Sequence, residues 1–161
     1  MEDEITFINH AGLIIRSSGI NIMMDPWIEG LAFDKGWSLL VPSEFYYQDF
    51  KKVDYLWFSH EHPDHFSPSS LKKIPSEFRS NITILYQEQK SKRVLNYCKK
   101  QGFKTLELAG NKKTFIGNGV SVTCDSVGLD SWLYIETPNT TYLNLNDCVF
   151  PDEKGALSNL K

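Results

Sequence analysis

Cysteine is scarce in this sequence. Only Cys98, Cys124 and Cys148 occur among its 161 residues, an odd number without a CxxC pair. A disulfide-stabilised fold usually needs several cysteines at close and regular spacing, so a disulfide framework is excluded. We interpret the three as reduced, buried thiols. Such thiols are typical of a cytoplasmic protein, and cytoplasmic is the localisation that we predict.

Long apolar runs and basic clusters are missing as well. No apolar segment approaches the roughly 18 residues of a membrane-spanning helix, and the acidic residues 2–4 lead into a predicted strand instead of a secretory signal. The formal net charge is −3, whereas nucleic-acid-binding proteins usually show a basic face. We therefore expect neither a membrane nor a nucleic acid as a partner. A small-molecule substrate agrees with this composition, including an anionic one held by metal or lysines.

The sequence does contain an ordinary globular core. Hydrophobic residues make up 41% of the chain and aromatic residues 13%, which is enough for one domain. No repeat, low-complexity tract or linker divides the chain, so residues 1–161 are expected to form a single domain. Strands are predicted at 5–8, 12–16, 20–24, 55–58, 82–86, 105–108, 113–116, 120–123, 132–136 and 141–145, and helices at 69–74 and 88–101.

Histidine is nearly as scarce as cysteine, but it is concentrated. Three of the four histidines lie in the segment Ser59–His65, directly after an apolar run. His60 and His62 are two residues apart, so in an extended segment they point the same way and can bind one ion. Asp64 and His65 follow on the next turn, where they can face a second ion. Ions in two-metal hydrolytic sites lie about 3.5–4 Å apart and share a bridging water, so this spacing predicts a metal site.

The residues that follow predict how this segment ends. Ser67 is a suitable N-cap, and Pro68 suits the first position of a helix. Pro63 stiffens the turn between the two halves of the segment. The whole unit is therefore predicted to be a strand, a ligand loop and a helix.

The H-x-H-x-D-H order at residues 60–65, placed after a buried strand, resembles the signature of the metallo-β-lactamase fold superfamily. The stretch 25–37 is most similar to the metallo-β-lactamase-like domain of CMP-N-acetylneuraminate hydroxylases and related uncharacterised hydrolases. The resemblance covers about 5–151 and implies an α/β fold, the αββα sandwich in which two sheets pack face to face with helices outside. Further similar stretches lie at 9–12, 24–27 and 144–148.

The resemblance also implies which residues bind metal. His60, His62, Asp64 and His65 would be ligands, and Asp147 would bridge two ions from the end of a hairpin. Asp64 would in addition orient the attacking water, so it is the predicted catalytic residue. One or two zinc ions are expected, with manganese or iron as alternatives, because mixed nitrogen and oxygen ligands suit several metals.

Two neighbouring features each allow two interpretations. His10 lies at the junction of the first two strands, where it is either a hydrogen-bonded structural histidine or, as the resemblance implies, close to the metal cleft. The aromatic loop after Asp25 either covers substrate or places its rings in the core. Asp25 itself is a candidate hydrogen-bond acceptor for a metal-binding histidine.

The sequence departs from the family pattern in two places. The family usually has a further histidine just before the position of Asp130 and Ser131; this chain has none there, and Asp125 or Cys124 could take its place. No histidine follows His65 either. We expect a C-terminus that lacks part of the second lobe. The sheet surface exposed in this way would be covered by a partner or by a second copy of the chain, as a homo-oligomer.

Together these features predict a metal-dependent hydrolase, in which a metal-activated water attacks an ester, amide or phosphoester. Two alternatives stay open. The chain could be a degenerate, non-catalytic binding or assembly module, or a partner subunit in nucleotide-sugar oxidation of the sialic-acid type. An oxygenase of that type would need an iron–sulfur domain, for which the chain has no cysteine and histidine pattern, so the redox part would lie on another chain.

Overall fold

The structure is a computed structural model that describes residues 2–159; residues 1, 160 and 161 of the predicted domain lie outside the described part. In chain order the strands are β1 (Glu4–Asn9), β2 (Gly12–Ser17), β3 (Ile20–Met24), β4 (Leu31–Ala32), β5 (Trp37–Ser38), β6 (Tyr55–Trp57), β7 (Thr83–Gln87), β8 (Lys104–Leu108), β9 (Thr114–Gly117), β10 (Val120–Val127), β11 (Asp130–Glu136) and β12 (Thr141–Asn144). The helices are α1 (Pro68–Lys73), α2 (Ser76–Arg79), α3 (Arg93–Lys100) and α4 (Glu153–Asn159), and a 3₁₀ helix spans Tyr47–Lys52.

These strands form two main sheets. The first sheet has six strands in the order β1-β2-β3-β6-β7-β8, and the second has four in the order β12-β11-β10-β9. In the first sheet β1, β2 and β3 are antiparallel, whereas β3, β6, β7 and β8 are parallel. Parallel strands bring their carboxyl ends to one edge of the sheet, so the loops that follow β3 and β6 lie side by side there.

The central strands of the first sheet are buried on both faces. Leu56 and Phe58 pack into a core with Val94 and Cys98 of α3, while Trp57 between them packs into the core that the two sheets share. This alternation follows from the two-residue period of a strand, and burial on both faces explains why β6 consists of large aromatic and aliphatic residues. The predicted α/β class, with two face-to-face sheets and helices outside, is confirmed.

Some boundaries differ from the sequence predictions. Helix α3 begins at Arg93 instead of residue 88, because the Glu88 N–H donates to the Leu108 carbonyl (2.8 Å) and continues the pairing of β7 with β8. Its predicted end is confirmed, since Gly102 has the left-handed φ of 92° that stops a helix. The 3₁₀ helix and α2 had no sequence signal that we recognised.

The three cysteines are free thiols, as expected. Cys98 and Cys124 are buried, whereas Cys148 is half-buried. Burial raises the pKa of both buried thiols to about 12, which keeps them protonated and unreactive near neutral pH. None of the helices described in residues 2–159 has the length and apolar character needed to cross a membrane.

Candidate metal centre

The segment Ser59–His65 turns sharply at the carboxyl end of β6. The N–H groups of His65 and Phe66 both donate to the His62 carbonyl, at 3.0 and 2.7 Å, and so close the turn. The Ser67 side chain accepts from the backbone N–H of the third helical residue at 3.4 Å, and Pro68 is the first residue of α1. The predicted strand, loop and helix are therefore confirmed.

The turn gathers the histidine rings. His60 Nε2 lies 2.8 Å from His62 Nδ1, and the ring centroids of His60 and His65 are 4.2 Å apart. His60 and His65 are almost completely buried, at 1% exposure each, whereas His62 is exposed at the mouth of the site. The loop thus presents two buried imidazoles and one accessible imidazole at a single point.

Two carboxylates complete the cluster. Asp64 Oδ2 lies 3.3 Å from His65 Nε2, and Asp147 Oδ2 lies 3.4 Å from the same nitrogen and 3.8 Å from His60 Nε2. Asp147 comes from the loop after β12, so the second sheet brings it to the histidines of the first. The structure therefore brings together all five residues that the sequence singled out: His60, His62, Asp64, His65 and Asp147.

His10 is a sixth member, which we did not include among the predicted ligands. It occupies the turn between β1 and β2 with a φ of 50°, and its Nε2 lies 2.9 Å from Asp64 Oδ2. Its ring also makes an edge contact with the His65 ring at 5.5 Å. The site-lining interpretation of His10, which the family resemblance implied, agrees with this position.

The residues of the cluster fit a divalent cation. Ligand atoms of His60, His65 and Asp147 lie within 4.8 Å of one another, and so do those of His10, Asp64 and His65. Asp64 is buried, at 4% exposure, yet its buried Oδ1 has no hydrogen-bond partner. A buried carboxylate oxygen without a partner is unfavourable, and a cation would supply the missing interaction. Mixed imidazole and carboxylate donors suit zinc, manganese and iron.

The buried carboxylate of Asp25 forms hydrogen bonds with the histidine segment. Asp25, at the end of β3, is completely buried and accepts the Ser59 N–H at 2.8 Å. Its Oδ2 lies 3.3 Å from His65 Nδ1 and also accepts from the Asn146 amide. The contact that we expected between Asp25 and a histidine is therefore present. Asp25 and Asn146 both have left-handed backbones, with φ of 42° and 46°, which is typical of strained positions at functional sites.

Ser59 and Asp130 orient the other histidine. Ser59 Oγ lies 2.9 Å from His60 Nδ1 and 3.4 Å from His65 Nδ1, and Asp130 Oδ1 lies 3.5 Å from His60 Nδ1. Both buried rings thus direct Nδ1 to these outer groups and Nε2 into the cluster. Partners of this kind fix the ring orientation and tautomer of metal-binding histidines.

The electrostatics of the two buried rings differ. Burial lowers the pKa of His60, and the neighbouring His65 and His62 lower it further. Burial also opposes protonation of His65, but the hydrogen bond and charge of Asp25, together with Asp64 and Asp147, outweigh it, so the pKa of His65 is raised. The carboxylates therefore create a place that favours positive charge beside His65.

Comparison with known proteins agrees with this geometry. The model of the beta-lactamase superfamily domain matches residues 4–128, which include the histidine segment and His10. The chain belongs to this family. The metallo-β-lactamase resemblance of the sequence is thereby confirmed, and Asp130 and Asp147 lie beyond the matched residues.

Individual known proteins are similar to this chain in sequence or in fold. The cytidine monophosphate-N-acetylneuraminic acid hydroxylase of Xenopus laevis is 30% identical over 161 residues, which cover 94% of this chain and 27% of that protein. A possible metal-dependent hydrolase from Veillonella parvula has a similar fold, with a TM-score of 0.74 at 16% identity, over 99% of this chain and 67% of that one. The diiron β-hydroxylase CmlA from Streptomyces venezuelae has a TM-score of 0.71 at 17% identity, over 95% and 31%. The chain thus spans about a quarter of the length of the hydroxylase that it resembles in sequence.

Cys124 and Asp125 were the two alternatives for the position of the superfamily's additional histidine. Cys124 is buried in the core between the sheets, and Asp125 accepts from the Asn111 amide at 2.6 Å and from the Ser126 N–H at 2.8 Å. Asp130, which follows the turn after β10, is the carboxylate of this region that reaches His60. A lone aspartate after a turn carries no sequence signal for such a contact, so Asp130 was not among the predicted site residues.

Proposed function

We propose that this chain is a metal-dependent hydrolase. The observation that carries the proposal is the convergence of four histidines, Asp64 and Asp147 at one edge of the first sheet, with a buried carboxylate oxygen on Asp64 that has no partner. The proposed ligands are His60, His62, Asp64, His65 and Asp147, and the proposed metal is zinc, one or two ions, with manganese or iron as alternatives. The proposal is supported by two groups of potential ligand atoms that share His65, one with His60 and Asp147 and the other with His10 and Asp64.

A bound cation would polarise a carbonyl or phosphoryl oxygen and acidify water. The residues of the chain have distinct tasks in this proposal. Asp64 is the proposed catalytic residue, because its carboxylate lies beside both His10 and His65, where it would orient an attacking water held at the cation. Asp25 and Ser59 keep the rings of His60 and His65 aimed at the cluster. His62, exposed at the mouth, lies where a substrate would enter.

Metal content tests the ligand assignment. The purified wild-type protein should contain one or two equivalents of a divalent metal by elemental analysis, and His62→Ala and Asp147→Asn should each contain less. Asp125→Asn is the matched control, because it removes a carboxylate of the second sheet that faces Asn111. Equal metal content in all four proteins would contradict the ligand assignment. Ester, amide and phosphoester substrates, assayed with and without a chelator, then test for hydrolysis.

Metal-dependent hydroxylation is a second candidate. It is favoured by one observation: the relative with 30% sequence identity is named a hydroxylase, whereas the hydrolase neighbours are similar in fold at 16–17% identity. Iron as the preferred metal, with substrate-dependent consumption of dioxygen, would support this candidate over hydrolysis. The close grouping of the histidines with Asp64 and Asp147 argues against a non-catalytic module. No contact among the described residues supports a role as a partner subunit in nucleotide-sugar oxidation.

Several finer expectations belong to this proposal. The substrate would be a small molecule, and an anionic group on it would bind at the cation. Cytoplasmic location is supported by the free cysteines. Assembly into a homo-oligomer is supported by exposed apolar side chains on the second sheet, among them Phe115 and Leu143 at 75% and 46% exposure. Light scattering of the purified chain would test the assembly.

A further inference from the structure

A cavity of about 660 Å³ opens beside the metal centre, and His10 belongs to both. We propose that this cavity binds an uncharged, planar, apolar group of the substrate, such as an aromatic ring. The inference rests on the proposed function, because it concerns the substrate of the same site. The walls that carry the argument are Phe7, His10, Trp27, Trp37, Leu40 and Val41.

The two tryptophans form different parts of the wall. Trp27 is 2% exposed and fixed in the protein, whereas Trp37 is 53% exposed and faces the open cavity. The His10 ring lies between them, with its centroid 5.3 Å from that of Trp27 and 6.3 Å from that of Trp37, in edge contacts. In the aromatic loop, therefore, one of the two tryptophan rings is buried and the other is exposed in the cavity.

Trp37 is held by neighbouring rings and by the backbone. It pairs with Ala32 in the small β4-β5 hairpin, and the Phe33 ring packs against it at 4.9 Å. Phe33 in turn contacts the His62 ring at 5.8 Å. Residues 33–35 all have left-handed backbones, with φ of 49°, 50° and 72°, so this hairpin adopts a costly turn to place its rings. The Trp37 ring is thus connected to the His62 ring through the ring of Phe33.

The cavity exposes an unusual amount of apolar surface. Phe7, Leu40 and Val41 are 66%, 100% and 62% exposed, and they adjoin Trp37. Contiguous exposed apolar surface on a globular protein commonly marks a binding site. A planar apolar group would remove this surface from water and stack on or against the Trp37 ring, a favourable arrangement for aromatic pairs.

The charges of the lining exclude an anion from the cavity. Among the described residues that line it, none is a lysine, arginine, aspartate or glutamate, and His10 is the only ionisable side chain. An anionic group would lose water there without gaining a cation, which is unfavourable. The cavity is therefore suited to an uncharged part of the substrate. His10 lines the cavity and its Nε2 lies 2.9 Å from Asp64 Oδ2, so a group bound in the cavity would lie close to the proposed catalytic residue.

Binding of 1-naphthol, measured by isothermal titration calorimetry on the chelator-treated full chain, tests the cavity. We expect wild-type protein to bind 1-naphthol, Trp37→Ala to bind it about tenfold more weakly, and Trp37→Phe to recover most of the loss, since an aromatic ring is restored. Phe115→Ala is the matched control, because Phe115 is an exposed aromatic ring on β9 of the second sheet, outside the cavity, and the affinity of this variant should equal that of the wild type. Absence of binding to the wild type, or equal affinity in Trp37→Ala, would overturn the proposal.

A charged probe of similar shape tests the second half of the inference. In the chelated protein, 1-naphthalenesulfonate should bind at least about tenfold more weakly than 1-naphthol, because the lining offers it no cation. Equal or tighter binding of the sulfonate would overturn the uncharged specificity. Failure of this proposal and failure of the proposed function can be told apart. If the metal assignment fails but 1-naphthol binding still depends on Trp37, the proposal for the cavity is retained. If the metal assignment holds but 1-naphthol binding does not depend on Trp37, only the proposal for the cavity is contradicted.

Discussion

The first and second sheets contribute to the candidate metal centre in different ways. The first sheet provides three of the four histidines from one short segment after β6, which is closed by local hydrogen bonds to the His62 carbonyl. The second sheet provides Asp130, Asn146 and Asp147 from two separate loops, and their contacts with the histidines depend on how the sheets pack. The positions of the three histidines after β6 therefore depend mainly on neighbouring residues in the sequence, whereas the positions of the residues from the second sheet depend on tertiary structure. We call these two groups the two halves of the site. Changes to each half should therefore have separable effects.

Asp25 joins the two halves, so its loss should have the largest effect. It accepts hydrogen bonds from Ser59 of the first-sheet loop and from Asn146 of the second-sheet loop. Asp25→Ala would leave the buried Ser59 N–H unpaired and would remove one of the two acceptors of the Asn146 amide. We expect the free energy of unfolding of the metal-free protein to fall by about 3–5 kcal/mol in urea titrations. Asp25→Asn should lose less, because asparagine tolerates the φ of 42° and keeps one acceptor.

The control for this prediction is Asp125→Ala. Asp125 also accepts a side-chain amide and a backbone N–H, but it lies in the second sheet and is half-buried. Its loss should cost only about 1 kcal/mol. Similar costs for Asp25→Ala and Asp125→Ala would show that Asp25 does not join the two halves of the site.

Asp130 tests whether the second sheet positions a histidine of the first. Asp130→Asn keeps the shape of the side chain but weakens its electrostatic hold on His60 Nδ1, 3.5 Å away. Changes to such partners typically lower metal affinity by about 10- to 100-fold, and we expect the low end of this range because Ser59 also contacts the same nitrogen. Competition with a chromophoric chelator measures the affinity, with Asp125→Asn as the control. Unaltered affinity in Asp130→Asn would assign the contribution of the second sheet to Asp147 alone.

The same division explains what the sequence could predict. The histidine segment, the Ser67 cap and Pro68 were predictable because each depends on neighbouring residues. Asp147 was found through the family resemblance. The contact of His10 with Asp64 spans 54 positions and depends on a left-handed turn residue, so no local pattern could show it.

A similar limit applies to the helices and to the aromatic loop. The amphipathic pattern of α3 predicted its buried stripe, but its start depends on a backbone hydrogen bond from Glu88 to Leu108 in another strand. The pattern of aromatic residues could not separate Trp27, which is buried, from Trp37, which lines a cavity. Their roles follow from the hairpin β4-β5, whose two-residue strands are too short to give a periodic signal.

The smallest effect on stability is expected at Asp3. This residue connects the two sheets and is distant in sequence from the histidine segment. Partial removal from water raises the pKa of Asp3, but hydrogen bonds outweigh this and lower the pKa to about 2. The donors are Ser17 of β2 and three residues of the β11-β12 hairpin, namely Thr137, Asn139 and Tyr142. Because the folded pKa lies below the unfolded value of 3.8, this contribution to stability is complete above about pH 4 and is lost as the pH falls toward 2.

Asp3→Asn should therefore lower the free energy of unfolding by roughly 1 kcal/mol at pH 7, since charged hydrogen bonds become neutral ones. The difference from the wild type should shrink as the pH falls from about 4 to about 2, because the wild-type carboxylate is then protonated too. Chemical denaturation across this pH range measures the difference in the free energy of unfolding. Glu2→Gln is the control, because it removes one negative charge from the neighbouring residue. Metal content should stay at the wild-type level, because Asp3 fastens the sheets without contacting the histidine cluster. A loss of metal in Asp3→Asn would mean that the position of Asp147 depends on the whole interface between the sheets, and the two halves of the site would then not be separable.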